Sequence, residues 1–150
     1  MLAVVRNTPY NIVLVIHLLT VMAAFAPSFV HPFLVKQTKE LDGDGHQKVL
    51  NYLALNGRRI YAPALILVGL TGFALSGMSE KFYSVTDGWV LASIAIWVAM
   101  NGILHAVLIP NERRAADGDA KALGLVEKAG GVLTILLLVM LYLMVFKPGA

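Results

Sequence analysis

Four uninterrupted apolar runs constrain this chain more than any other feature of its sequence. They cover residues 10–35, 59–78, 88–109 and 130–146, and no Asp, Glu, Lys or Arg lies in their interiors. A helix needs about 20 apolar residues to cross a bilayer. Lipid offers the backbone no hydrogen-bond partners, so such runs must be helical. The sequence therefore predicts an all-α membrane protein, a single domain of four transmembrane helices.

The composition excludes a soluble fold and several kinds of chemistry. Of 150 residues, 58% are hydrophobic and 14% are charged, whereas soluble domains carry about 25% charged residues. Because cysteine is absent, disulfides, thiolate metal sites and a thiol nucleophile are excluded. The net charge of +3 gives no indication of nucleic-acid binding. The lipid bilayer is the expected partner.

The distribution of basic residues predicts the orientation of the four helices. Three basic residues lie on one side of the predicted bundle. Arg6 precedes span 1, Lys81 lies between spans 2 and 3, and Lys147 follows span 4. Nine others lie in the loops joining spans 1 and 2 and spans 3 and 4: Lys36, Lys39, Lys48, Arg58, Arg59, Arg113, Arg114, Lys121 and Lys128. Basic loops favour the cytoplasm. Both termini are therefore expected on the periplasmic side of a bacterial inner membrane.

The two cytoplasmic loops are expected to extend the helices and to turn sharply. Each loop contains an Asp-Gly-Asp step, at residues 42–44 and 117–119. Aspartate caps the N-terminus of a helix, and glycine permits the turn that precedes it. Spans 1 and 2 then form one antiparallel hairpin, and spans 3 and 4 form a second.

The two hairpins also resemble each other in sequence. Residues 31–39 align with residues 105–113, with His31 over His105 and Lys39 over Arg113. A tandem hairpin repeat in one orientation predicts a pseudo-twofold axis along the membrane normal. Convergence is the alternative, because any two cytoplasmic hairpin tips favour basic residues and a turn.

Two histidines are predicted to lie at matching depth, as ligands of a b-type haem. His31 and His105 each precede the end of a span by four residues, about 6 Å at 1.5 Å per residue. Ionisable groups in membrane helices usually face the bundle interior, where two imidazoles can ligate iron from opposite faces.

Arg58 and Arg59 would pair with haem propionates or with lipid phosphates. Gly72 belongs to a small-residue face that admits a macrocycle edge or packs another helix. The alternatives for the histidines are a hydrogen-bonded structural pair and contact with lipid headgroups.

The outer half of span 1 carries a third histidine. By depth, the neighbours of His17 are Thr71 on span 2 and Tyr142 on span 4, and a hydrogen bond to either would satisfy its ring. The functional alternatives are contact with a quinone carbonyl and ligation of a second haem, with Met140 opposite.

Several motifs resemble small bacterial four-span membrane proteins distantly related to the copper-resistance D family. They are the motif Ile16-His17-Leu18-Leu19, the small-residue stretch at residues 23–27, and a second span that opens Arg58-Arg59-Ile60-Tyr61 and reaches Leu70-Thr71-Gly72. The resemblance covers mainly residues 11–78. It implies a four-helix membrane bundle that handles copper or haem. The sequence departs from it by lacking a run rich in methionine or histidine.

These observations lead to three hypotheses about function. The first is a b-haem redox protein, or a subunit of a membrane electron-transfer complex, with His31 and His105 as ligands and a quinone near His17. The second is a non-catalytic accessory subunit of a larger complex, or a homo-oligomer, that docks through small-residue faces. The third is a small copper or cation permease. No catalytic signature is present, so an electron carrier or accessory subunit is favoured over a stand-alone enzyme.

Overall fold

Four long helices make up the part of the chain that the structure describes. The computed structural model describes residues 8–38, 44–79 and 82–149. The helices Thr8–Thr38, Gly45–Met78, Gly88–Ala116 and Ala120–Phe146 are each long and apolar enough to cross a membrane, and no strand occurs in these three stretches. The prediction of an all-α protein with four transmembrane helices is confirmed.

Two of the long helices contain a π-helical turn that divides them into shorter elements. The first helix is uninterrupted and is called α1 (Thr8–Thr38). The second comprises α2 (Gly45–Asn56), a first π turn (Gly57–Tyr61) and α3 (Ala62–Met78). The third comprises α4 (Gly88–Ile103), a second π turn (Leu104–Leu108) and α5 (Ile109–Ala116), and the fourth is α6 (Ala120–Phe146). The predicted helix extensions are therefore confirmed: α2, α5 and the start of α6 continue the helices beyond the predicted spans.

Both π turns have the same cause in the sequence. Pro63 and Pro110 each lie at the start of the α-helix that follows a π turn. Proline has no N–H, and its ring clashes with the carbonyl four residues earlier. Those carbonyls belong to Arg59 and Ala106, which lie inside the two π turns. The extra residue of each π turn accommodates the proline without ending the helix.

The four membrane helices pack in the cyclic order α1, α3, α4, α6. The hairpin pairs α1–α3 and α4–α6 have the most extensive packing, and smaller contacts join α3 to α4 and α1 to α6. Each helix contributes a side chain to the centre, where Phe25, Leu65, Met100 and Leu137 pack together. Met100 is completely buried. Next to the membrane helices, α2 packs against α5, so the two hairpins also meet through their extensions.

The two Asp-Gly-Asp steps differ in structure. Asp119 caps α6, because its side chain accepts hydrogen bonds from the backbone N–H groups of Lys121 and Ala122, and Gly118 takes the positive φ of +95° that the turn requires. Asp44, by contrast, makes no side-chain capping bond at the start of α2. Its carboxylate pairs with Lys48 at 2.9 Å, on the exposed surface. The predicted cap is confirmed at Asp119 and wrong at Asp44.

We expect Asp119→Ala to fray the first turn of α6 and to lower the thermal unfolding temperature of the purified protein. The substitution removes the cap and the 2.7 Å contact with Arg114. The backbone N–H of Ala122 holds the pKa of Asp119 below its usual value, so its stabilising effect is present at neutral pH and is lost as the pH falls through that pKa. Asp119→Asn keeps a capping oxygen and is the matched control. Equal unfolding temperatures for the alanine variant and wild type would contradict the capping role.

Part of the orientation argument concerns residues outside the described stretches. Arg6, Lys39 and Lys81, three of the residues in the charge comparison, lie there, as do Asp42 and Gly43 of the first Asp-Gly-Asp step. The periplasmic placement of both termini, the inner-membrane location and the tandem repeat stay predictions.

Candidate functional site

His31 is the predicted ligand with the most unusual environment. It lies on α1 between Pro27 and Pro32, it is half-buried, and its ring packs edge-on against Tyr61 with 5.5 Å between centroids. Its Nε2 atom is buried and has no hydrogen-bond partner within the described stretches. A buried polar atom left without a partner costs about 1–3 kcal/mol. This nitrogen is therefore a position where a bound polar group would be stabilising.

A cavity of about 480 Å³ adjoins His31. It lies among α1, α2 and the first π turn, and its wall is mostly apolar. The polar wall residues are His31, Lys48, Tyr52, Asn56 and Tyr61. Because Lys48 and Tyr52 are exposed, the cavity opens at the surface of the bundle. An apolar cavity with a few polar groups is the usual form of a small-molecule site.

His105 has a different environment from His31. It lies in the second π turn and is exposed on the outside of the bundle. That turn packs chiefly against α6 and against the elements that flank it in sequence. The two imidazoles therefore do not face each other across the bundle interior, although their distances from the ends of the predicted spans are equal. Arg58 and Arg59, in the first π turn, are also exposed, where they can reach lipid phosphates.

His17 is hydrogen-bonded, as expected from its depth. Its Nδ1 atom lies 2.8 Å from the hydroxyl of Thr71 on α3. The Thr71 hydroxyl also lies 2.6 Å from the backbone oxygen of Leu67, and the tautomer of the His17 ring decides whether Nδ1 donates to the hydroxyl or accepts from it. Gly72 lies beside this pair: a Cβ atom there would be 3.6 Å from the His17 ring. Of the two partners predicted for His17, Thr71 is therefore the one that it contacts.

The small-residue face of α3 is used for packing inside the bundle. A Cβ atom at Gly69 would come within 2.3 Å of the indole ring of Trp97 on α4. The Trp97 N–H donates to the backbone oxygen of Leu65 at 2.8 Å. At Gly69, therefore, this face packs closely against another helix, which is one of its two predicted uses. The Trp97 indole fills the space that the edge of a macrocycle would need.

In the stretches that the structure describes, no three His, Asp or Glu side chains gather into a group that could hold a metal ion. Met100 and Met140 are core residues, whereas Met22 is 68% exposed on α1. Gap-filling packing accounts for the two buried methionines.

Sequence reasoning missed two residues near the cavity, Tyr61 and Glu112. Tyr61 lies near the start of predicted span 2, and its contact with His31 depends on the rotation of the π turn. Glu112 lies in the predicted extension of span 3, among basic residues, but it is only 6% exposed. The sequence does contain an indication that Glu112 is buried. It follows Leu104 and Leu108 at intervals of four residues, and these two leucines are buried and half-buried. A carboxyl at an apolar helical position indicates a buried ionisable group.

The predicted resemblance to copper-resistance D relatives concerns residues on three elements of this site. His17 lies on α1, Arg58 and Arg59 lie in the first π turn, and Thr71 lies on α3. That resemblance stays a prediction. The sequence matches no family model, no curated protein and no solved structure.

Proposed function

We propose that this protein is a small membrane subunit of an electron-transfer complex, and that it binds a quinone in the cavity beside His31. The observation that carries the proposal is the buried Nε2 atom of His31, which has no hydrogen-bond partner in the described stretches. It belongs to a residue in the wall of a largely apolar cavity of about 480 Å³. A ligand with a polar acceptor on an apolar ring suits both features.

The chemistry of a quinone headgroup matches the polar residues of the cavity. A quinone presents two carbonyl acceptors on a planar ring and carries an apolar tail. An imidazole N–H from His31 and the phenol of Tyr61 or Tyr52 can donate to those carbonyls. In a site of low dielectric constant such hydrogen bonds are stronger than in water. The cavity opens at the surface of the bundle near the predicted membrane boundary, so a quinone can enter from the lipid.

A b-type haem is the second candidate for the same cavity. The unpartnered Nε2 atom of His31 also favours haem, since a neutral imidazole nitrogen is a good iron ligand. No other histidine lines the cavity, and His105 is exposed elsewhere on the bundle. Two axial imidazoles are therefore not available from the described cavity wall, and the quinone is the better fit.

Membership of a larger complex is supported by the outward face of α4. The exposed residues of this face include a series of small side chains at helical spacing: Ala92, Ala95, Ala99 and Gly102. Small residues let transmembrane helices approach each other closely. This face is therefore available to a helix of another subunit, whereas Gly69 and Gly72 on α3 pack within the chain. An accessory subunit without a cofactor would use the same face.

The decisive experiment measures quinone binding by the protein in lipid nanodiscs. We expect a short-tailed benzoquinone to bind, and His31→Leu to raise its Kd about tenfold or more, which corresponds to the loss of one hydrogen bond of about 1.4 kcal/mol. His105→Leu is the matched control and should leave the Kd unchanged, because that ring is exposed.

Three results would overturn the quinone assignment. The first is the absence of binding by the wild-type protein, and the second is an unchanged Kd in His31→Leu. The third is a stoichiometric Soret band after haem-replete expression that disappears in His31→Leu, which would assign the cavity to haem. Circular dichroism of each variant checks that the helices are retained.

A further inference from the structure

Glu112 is a carboxylic acid buried where the two hairpins meet. It lies on α5, which packs against α2 and α6, and its side chain is 6% exposed. Its Oε2 atom is buried and has no hydrogen-bond partner in the described part of the chain. That oxygen packs against the first π turn: a Cβ atom at Gly57 would lie only 2.6 Å from it. The absence of a side chain at residue 57 is therefore what admits the carboxyl.

The charged and titratable side chains of the surrounding elements point elsewhere. On α2, Lys48 pairs with Asp44 and His46 bonds to Thr38 at 2.9 Å. On α5 itself, Arg114 pairs with Asp119. The remaining charged or titratable residues of the elements packed around Glu112, apart from Tyr61, are exposed: Tyr52, Arg58, Arg59, His105, Arg113, Lys121, Glu127, Lys128 and Tyr142. No buried cation lies among these residues. Tyr61 belongs to the same π turn as Gly57, against which the Glu112 carboxyl packs.

An ionised carboxylate in this setting is strongly disfavoured relative to the neutral acid. Burying a charge without a partner costs far more than burying a neutral polar group. While the carboxyl keeps its proton, no buried charge is present. It ionises when it releases that proton to water at the edge of the α2–α5 contact. The bond that breaks is O–H of the carboxyl, and the proton passes to a water molecule.

We propose that Glu112 is a proton-binding site at the cytoplasmic end of the bundle, coupled through Tyr61 to the His31 cavity. Gly57 and Tyr61 are four residues apart in the first π turn, which brings them to nearly one face of the helix. Glu112 packs on the first of them, and the ring of the second contacts His31. The coupling to a ligand in that cavity rests on the proposed quinone function, whereas the proton site itself does not.

The proton site is tested by infrared titration of the quinone-free protein in nanodiscs. We expect a protonated-carboxyl C=O band that is present in acid and is lost reversibly as the pH rises through about 7, because burial raises the pKa of Glu112 to about 7. The band should be absent in Glu112→Gln and retained in the matched control Asp119→Asn. Gly57→Ala, whose methyl group must displace Oε2, should shift the band or its titration midpoint. Absence of the band in wild type, or its persistence in Glu112→Gln, overturns the proposal.

The coupling is tested by measuring the Kd for the benzoquinone across the same pH range. When Glu112 is ionised, its negative charge beside the first π turn opposes the partial negative charge of a quinone carbonyl bound near Tyr61, so quinone affinity should fall several-fold as the pH rises. Glu112→Gln should bind with a Kd that is independent of pH. An identical pH profile in wild type and Glu112→Gln would overturn the coupling. If no quinone binds at any pH, the infrared band still decides the proton site, so the two proposals fail separately.

Discussion

Alanine in place of Gly69 is expected to disrupt the contact between α3 and α4 and to destabilise the bundle by about 1–3 kcal/mol, the usual cost of overpacking. The new Cβ would lie 2.3 Å from the Trp97 ring, a distance that no real contact tolerates. The indole must move, and its hydrogen bond to the backbone oxygen of Leu65 is then lost. The loss of stability is measured by heating the detergent-purified protein and then using size-exclusion chromatography to determine how much folded protein remains.

Gly77→Ala is the matched control for this substitution. Gly77 lies on the same helix, and nothing occupies the space within 4 Å of a Cβ atom there. Because alanine has a higher helix propensity than glycine by about 1 kcal/mol, this variant should be as stable as wild type or more so. Similar destabilisation of both variants would show that the packing of Trp97 on Gly69 is not the cause.

Truncation of the central core residue is expected to have the second large effect. Met100 is completely buried and contacts side chains from the other helices in the core, so Met100→Ala leaves a cavity that no single helix can fill. Lipid is as apolar as the core, so the transfer contribution seen in soluble proteins is small in a membrane. The empty space left by the removed atoms still lowers the free energy of unfolding, by roughly 2 kcal/mol.

Met22→Ala provides the comparison for the Met100 variant. The Met22 side chain is 68% exposed on α1 and faces lipid, so its removal creates no internal cavity. We expect an unfolding temperature close to that of wild type for Met22→Ala and a clearly lower one for Met100→Ala. A reversed order would contradict the packing arrangement described for the four helices.

The membrane helices could be predicted because hydrophobicity alone determines them. The apolar runs identified four spans, but they placed the second helix from residue 59, whereas it begins at Gly45. The missing part, α2, is amphipathic rather than uniformly apolar, because one face packs on α5 and the other is exposed. The sequence predicts a helical extension in this loop, but it does not predict that the extension is continuous with α3.

The candidate site could be predicted only in part, because depth in the membrane does not determine which way a side chain points. Depth alone predicts two partners for His17, Thr71 and Tyr142, and the structure contains the first of them. The same reasoning placed His31 and His105 at one level, but the rotation of each helix about its axis separates their environments. His105 is exposed close to the small-residue face that includes Ala99 and Gly102. The position of Tyr61 against His31 depends on a π turn that no hydrophobic pattern encodes.

The first π turn has a further consequence for the cavity beside His31. Inserting one residue into an α-helix rotates everything on one side of the insertion by about 100°, since a turn contains 3.6 residues. The extra residue within Gly57–Tyr61 therefore sets the angular offset between α2 and α3. In a regular α-helix, Tyr52 and Asn56 would point about a quarter-turn away from the cavity they now line. The ring nitrogen of His31 would then border a wall with fewer polar groups, so a single proline, Pro63, determines by its backbone geometry which side chains a ligand meets.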